Sequence, residues 1–431
     1  MDTTTSHQIV IVGGNFAGVG VVHHLLKRTI PSLKRLGQTT SYHVTLVTPN
    51  TQFFFKIASP RALINSSLIP KEKIVRPLKQ AFAEYKSSEF TLLQGLATSI
   101  DAESRSITVQ SVENADDTKQ QHYDTLIIAT GTTSESPLWT LHNDETLTWK
   151  ALDNMNKILP SAKSVIIAGG GPVGVETAGE IASAYPGCKV KLFSGRERLV
   201  HHLSQKTSST AQTFLEQKLN VEVIHNLQVT KVSPEQSEIN AEPRATTVTF
   251  SDGTKHTADL YISATGGRPN TGFVPKDWLD DTKRIITRDA YFRVRGSQAN
   301  GSVEGVYAVG DVVSGSLNSS LELDEAVPTV CRSIEIDLAK RLTGVKPDPA
   351  ANNSTWLQAL TSRIFGSRTP QIPTQRECRP WKDTGIIPVG PNLGTGQLNG
   401  FQLPSWFVVM AKSKTFLVPM VESMVNGGHW K

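Results

Sequence analysis

One short construction occurs twice in this sequence, and few folds can accommodate it. Ile9-Val10-Ile11-Val12 runs into Gly13-Gly14-Asn15-Phe16-Ala17-Gly18 and then a helical pattern from Val19 to Lys27. Val165-Ile166-Ile167-Ala168 runs into Gly169-Gly170-Gly171-Pro172-Val173-Gly174 and then a helical pattern from Val175 to Ala184. A β-branched run, a glycine turn and a helix start are the signature of a buried parallel strand feeding a helix. The first glycine of such a turn lets the chain leave the strand sharply. The second lets backbone approach a pyrophosphate, and the third lets the helix pack closely on the strand. Free N–H groups and the positive end of the helix dipole then face the phosphates. Gly169, Gly171 and Gly174 fill all three positions in the second copy. In the first, Gly13 and Gly18 hold, with Gly14 and Ala17 beside them, but the middle position is Asn15. Asparagine tolerates glycine-like backbone angles better than most residues, so the turn is expected to survive.

Three more elements follow the same scheme. Asp124 to Gly131 and Asp259 to Gly266 each read as an aspartate, an apolar strand and Ala-Thr-Gly. Thr130, Gly131 and Gly266 thus stand at strand ends where backbone can pass a nucleotide. Gly305 to Asp311 is a strand ending in Gly310-Asp311, and a carboxylate there is placed to accept sugar hydroxyls. Five such elements in this order predict an α/β chain with two Rossmann-like dinucleotide-binding domains and a smaller C-terminal α+β domain. At 431 residues the chain is too long for one ordinary core.

Composition removes several classes. No apolar run approaches the ~18 residues of a membrane-spanning helix. A net charge of +5 without basic clusters gives no support for nucleic-acid binding. Cys188, Cys331 and Cys378 form no CxxC, against a disulfide scaffold, a zinc ribbon or a dithiol redox centre. His23-His24 and His201-His202 are sequence neighbours that point apart on a helix, so no metal site is expected. The first residues are polar and leave no room for a signal peptide, and Asp2 excludes myristoylation, which predicts a cytoplasmic protein.

Residues 8 to about 340 resemble the pyridine nucleotide-disulfide reductase superfamily. Within it the chain is similar to the apoptosis-inducing-factor-like branch that includes ferroptosis suppressor protein and fungal relatives, itself related to type II NADH:quinone reductases. Ser59-Pro60-Arg61-Ala62 and the run Gly394 to Phe401 carry the closer likeness. The resemblance implies an FAD-dependent oxidoreductase that takes hydride from NADPH or NADH and passes electrons to a quinone-like acceptor. It places Gly13, Asn15 and Gly18 at the FAD pyrophosphate, Arg61, Thr130 and Gly131 near FAD, and Asp311 at the ribityl chain. It puts Pro328 and Thr329 at the first turn of a helix facing the flavin. Gly169, Gly171 and Gly174 would meet the NAD(P)H pyrophosphate. Glu176 matches a family glutamate near the nicotinamide, and Lys382 aligns with a family lysine near the isoalloxazine. As catalytic candidates, both have bland alternatives: a helix-start acid for Glu176 and a solvated lysine for Lys382.

Departures from the pattern sharpen the reading. The strand ending at Thr48-Pro49 lacks the acid expected to grip the adenosine ribose, leaving Thr48 to hydrogen-bond a hydroxyl. The strand ending at Ser194-Gly195-Arg196-Glu197-Arg198 also lacks a terminal acid, and Arg196 would welcome a 2′-phosphate, which favours NADPH. Glu197 could still turn inward. Apolar residues and aromatics from Phe401 to Met420 surround Lys412 and Lys414; they suit either peripheral contact with a membrane, at the mitochondrial outer membrane or a lipid droplet, or packing on the core. Asp101 to Gln121 reads as a hairpin loop and Asp348 to Ile372 as a long surface loop. The expected division is an FAD domain of 1–137 and 267–335, an NAD(P)H domain of 138–266 and a C-terminal domain of 336–431. A homodimer is compatible with the sequence. Two other functions fit the same residues: a redox sensor acting through NAD(P)H-controlled partner binding, and a flavoenzyme dedicated to one biosynthetic metabolite.

Overall fold

The computed structural model describes residues 6–36, 40–233, 245–296, 303–343 and 373–430; the expected loop from Asp348 to Ile372 lies outside them. The two glycine-turn strands each become the centre of a parallel sheet. In the first, the strand order is Val306–Ala308, Thr125–Ile128, His7–Val12, Tyr42–Thr48 and Phe90–Gln94, with every neighbouring pair parallel. In the second, it is Glu222–Ile224, Lys189–Phe193, Ser164–Ala168 and Leu260–Ser263, again all parallel. The glycine strand is flanked in both cases by the next strand in sequence on one side and by the Ala-Thr-Gly strand on the other. Such central strands are covered on both faces, which explains why Ile9, Val10 and Ile11 read as an unbroken apolar run.

The helices that follow are α1 (Phe16–His24) and α2 (Pro172–Ala184). Each sits so close to its strand that the third glycine has no alternative. A Cβ at Gly18 would fall 1.7 Å from the Gly13 carbonyl oxygen, and one at Gly174 would fall 1.8 Å from the Gly169 carbonyl oxygen. Gly13 and Gly169 leave their strands at φ +115° and +127°, a region glycine alone enters cheaply.

Just beyond the two Ala-Thr-Gly turns, Thr132–Ser134 and Gly267–Pro269 pair antiparallel, so the chain's two crossings between the sheets run side by side. The expected hairpin loop at 101–121 is instead part of a three-stranded antiparallel meander, Leu96–Asp101, Ser106–Gln110 and Thr118–His122. Helix α3 (Ser320–Thr343) is one continuous element, so the boundary expected at 335 falls inside it.

The C-terminal residues contribute a small antiparallel sheet of Gly385–Pro388, Gly394–Leu398 and Phe401–Gln402. It lies directly on α2: a Cβ at Gly179 would meet the Gly390 nitrogen at 2.6 Å. Gln397 ties the same sheet to the helix Gln205–Thr213 by accepting from the Ser204 N–H at 2.8 Å and the Thr207 hydroxyl at 2.9 Å. The end of the chain then returns to α1. Trp430 is buried against Gly20, where a Cβ would meet its ring at 2.8 Å, and His23 bonds the Val425 carbonyl oxygen at 2.7 Å.

Gly174→Ala tests the strand–helix contact. The added methyl must push α2 off its strand, with an expected loss of about 1–3 kcal/mol, read as a lower melting temperature in calorimetry. An unchanged melting temperature would show that α2 can stand off without cost.

Candidate functional site

A cleft of about 2300 Å³ runs from the first glycine turn to the second. Ordinary small-ligand pockets span roughly 300–1,000 Å³, so this one has room for two extended ligands end to end. Gly13, Gly14, Asn15 and Ala17 line one part, and Gly169, Gly170 and Gly171 line another. The N-termini of α1 and α2 open here without a side-chain cap, so their first N–H groups are offered to the cleft. Gly131, Gly171 and Gly266 also line it, and no atom lies within 4 Å of where a Cβ on each would stand. These cradles of backbone, which a Cβ would fill, are shaped for phosphates and sugar rings, so the residues fit two dinucleotides.

Asn15 behaves differently from the sequence expectation. Its backbone is extended, at φ −119° and ψ −154°, so no glycine-like angle is required of it. Gly171, its counterpart, is extended too, at φ −78° and ψ −178°. What the middle position needs is clearance, and Asn15 supplies it by turning its amide away to donate to the Phe54 carbonyl at 3.2 Å.

Thr48 is buried at the strand end beside Gly14 and lines the cleft, as do Thr130, Gly131, Gly310 and Asp311. Thr130 and Asn270 bond reciprocally, hydroxyl to carbonyl at 2.8 Å and amide to carbonyl at 2.9 Å, which fixes the Ala-Thr-Gly turn. The Asp311 carboxylate stands 3.5 Å from the Lys56 ammonium, and Arg284 donates to the Asp311 carbonyl. At the other end Arg196 is exposed on the rim, whereas Arg198 is spent on the carbonyls of Leu203 and His201. Glu197 is exposed and is not among the lining residues.

Pro328, Thr329, Arg61 and Lys382, all expected at the site, lie elsewhere. Pro328 is well inside α3, and both it and Thr329 are buried away from the cleft. The helix is started by Ser319, whose hydroxyl accepts from the Leu321 N–H, and residues 319–323 face the cleft instead. Proline inside a helix sacrifices one bond, here to the Asp324 carbonyl, and tertiary packing has overridden that preference. Arg61 does not line the cleft. It is buried and grips Glu180 of α2 with two bonds of 2.7 Å. Lys382 is exposed and outside the cleft.

The lysine that does enter is Lys412. Its ammonium lies 2.6 Å from the Glu176 carboxylate and 3.3 Å from the Ile386 carbonyl, and both Lys412 and Glu176 line the cleft. Burial pushes the Glu176 carboxyl above its ordinary range, with Lys412 pulling against that shift. Burial likewise raises the Glu180 carboxyl, opposed by Arg61. A buried carboxyl with a raised affinity for its proton, hydrogen-bonded to an ammonium, is placed to hold and release a proton. The sequence offered no local signal for this pairing, because its partners are 236 positions apart.

No cysteine lines the cleft. Burial raises the thiols of Cys188 to about 11 and Cys378 to about 12, and pushes Cys331 well above its usual value. All three are protonated thiols at neutral pH, which are poor nucleophiles.

Comparison with known proteins agrees with this arrangement. The pyridine nucleotide-disulphide oxidoreductase family profile matches residues 7–329. The chain is 31% identical to oxidoreductase phnG of Penicillium herquei, over 100% of this chain and 98% of that protein. It is 26% identical to ferroptosis suppressor protein 1 of Xenopus tropicalis, over 96% and 94% of the two. Among solved structures, the sulfide:quinone oxidoreductase of Aquifex aeolicus superposes with a TM-score of 0.65 at 14% identity, covering 98% of this chain and 92% of that one.

Lys412→Met separates the members of the buried pair. The stranded Glu176 carboxyl then rises further above its ordinary value of 4.5. A group raised in the native state leaves stability intact below its unfolded value and removes it as pH rises through the native one. The variant should therefore match the wild type in urea at about pH 4.5 and fall behind by up to about 3–5 kcal/mol toward neutral and alkaline pH. A pH-independent difference would show that Glu176 does not depend on Lys412.

Proposed function

The chain belongs to the pyridine nucleotide-disulphide oxidoreductase family, as an FAD-dependent NAD(P)H oxidoreductase, and from that premise we propose that it reduces a quinone with electrons from NADPH. When bound, FAD supplies two-electron transfer between the nicotinamide and an acceptor. Gly13, Gly14 and Asn15, with the start of α1 that Gly18 packs against its strand, would hold its pyrophosphate, and Asp311 would accept from its ribityl hydroxyls. Gly169, Gly170 and Gly171, with the start of α2 that Gly174 packs against its strand, would hold the pyrophosphate of the nicotinamide cofactor.

The observation that carries the acceptor is the Lys412–Glu176 pair. Reducing a quinone to a quinol takes two electrons and two protons. Hydride from the nicotinamide accounts for both electrons and one proton, so one more proton must come from the protein or solvent. Lys412 and Glu176 can deliver it inside the cleft, next to the apolar walls of Ile386, Ile387 and Leu417. A disulfide acceptor would need a thiolate nucleophile, and the three thiols described above are raised away from that form.

Preference for NADPH rests on Arg196. It stands on the rim after the second strand–turn, in company with Ser194 and His202, where a carboxylate would have repelled a 2′-phosphate. Peripheral membrane contact rests on Phe401, Trp406 and Met410, which are 79, 66 and 60% exposed although apolar. Trp406 and Met410 are one helical turn apart, and an exposed apolar set of this kind suits a lipid surface from which a quinone is drawn.

Anaerobic stopped-flow reduction with NADH and with NADPH, followed by mixing with a short-chain quinone, tests the whole reading. Fast reduction by NADPH and fast quinone-driven reoxidation are expected. A reduced protein that persists in the presence of quinone would sink the acceptor and favour a sensor or a dedicated metabolite enzyme. Arg196→Ala should raise the NADPH Michaelis constant roughly ten- to a hundredfold, the worth of one charge-assisted bond, with little change for NADH. Equal effects on both cofactors would remove the 2′-phosphate assignment. Phe401→Ser with Trp406→Ser should lower partition onto anionic vesicles by roughly tenfold or more, since each side chain buries about 1.5–3 kcal/mol of apolar contact. Unchanged sedimentation with vesicles would leave these residues without a membrane role.

A further inference from the structure

Arg61 makes contacts that no purely local purpose explains. Its guanidinium uses one edge on Glu180 of α2 and a third nitrogen on the Lys414 carbonyl at 3.0 Å, while its flat face lies 4.7 Å from the centre of the Phe416 ring. A second cation, the Lys412 ammonium, is 5.9 Å from the same ring centre. Residues far apart in sequence are thus drawn together by one side chain: the turn Ser59–Ala62, helix α2 and the segment 412–417.

That segment is strained. Phe416 and Leu417 stand consecutively at φ 48° and 61°, a left-handed conformation that bulky side chains avoid. Strain of this kind persists only where surrounding contacts over-determine it. Phe416 is fully buried under Arg61, and the reversal turns Leu417 into the cleft and leaves Lys412 facing Glu176. A buried ion pair is by itself a poor source of stability, because desolvation offsets its attraction. What a planar five-donor fork does supply is direction.

We propose that Arg61 is a positioning residue: by holding Glu180, the Lys414 carbonyl and the Phe416 ring together, it aims Lys412 at Glu176 and so builds the proton-delivering end of the cleft. Glu176 and Glu180 are one turn apart on α2, so the rigid helix carries both halves of the arrangement. Lys412 then acts on the substrate and Arg61 acts only through Lys412. This role rests on the proposed acceptor reading for its chemistry, though the aiming itself is a property of the folded chain.

Arg61→Lys keeps a positive charge beside Glu180 but loses the fork and its reach to the Lys414 carbonyl. In the purified protein, acylation of Lys412 by acetic anhydride, followed by peptide mass spectrometry, should become about tenfold faster, the change expected when a charge-assisted bond is lost. Lys414, already exposed, should keep its rate and serves as the internal standard. Unchanged labelling of Lys412 would overturn the proposal. A double-mutant cycle then reads quinone-driven reoxidation in Arg61→Lys, Lys412→Met and the pair. If Arg61 works through Lys412, the double variant loses no more than Lys412→Met alone; additive losses would assign Arg61 an independent role and reject the proposal. Should Arg61→Lys fail to fold, Phe416→Leu removes the ring that both cations contact and is expected to give the same labelling and the same non-additivity. If the reduced wild type ignores quinones, the acceptor reading falls while the labelling comparison still decides what Arg61 does.

Discussion

The contact on which the rest of the molecule depends is a helix pressed against the carbonyl of the glycine that opens its own turn. In both copies the third glycine comes closer to that carbonyl than any side chain permits, at Gly18 over Gly13 and at Gly174 over Gly169. This approach sets the angle at which each helix leaves its sheet, so that both helix N-termini point into one cleft with their N–H groups free. The Ala-Thr-Gly strands sit next to the glycine strands for the same reason of geometry. A Cβ at Gly13 or Gly169 would strike the carbonyl of Ala129 or Ala264, so neighbouring backbones meet across the turn.

A second constraint comes from the other end of the chain. The C-terminal residues are stitched to both units, through Gln397 on the segment that joins two strands of the second sheet and through Trp430 and Val425 on α1. Between those anchors, segment 412–417 is held in a strained reversal over a row of buried charges, Lys412 with Glu176 and Arg61 with Glu180. Burial raises each carboxyl and its cation opposes that shift, so the segment and α2 depend on one another for compensation of buried charge. The chemistry-bearing part of the cleft is therefore assembled from segments far apart in the sequence, residues 59–62, helix α2 and 412–417.

Much of the fold was legible because its signals are local. A β-branched run followed by glycines at fixed offsets specifies a strand, a turn and a helix within about twenty residues, and repetition of that unit specifies two sheets. Asp311 and Thr48 were readable as strand-end residues on the same logic. The readings that moved were those in which a residue type has several homes. Pro328 suggested a helix start, but proline is tolerated inside α3, whose beginning is set by Ser319. Asn15 suggested a left-handed turn, but its position needs clearance rather than an unusual angle. Lys382 and Lys412 are both lysines in the last fifty residues, and only packing shows which of them is turned inward.

By itself, the sequence determined the parallel α/β architecture, the duplication and the glycine cradles for two dinucleotides, because short-range sterics and period dictate them. Only the tertiary structure decided that Arg61 serves Glu180 rather than the cleft, that Lys412 meets Glu176, and that Phe401, Trp406 and Met410 stay outside while Phe416 goes in. The physical reason is that burial and ion pairing are properties of segments brought together from opposite ends of the chain, and no local pattern encodes which charge will find which partner.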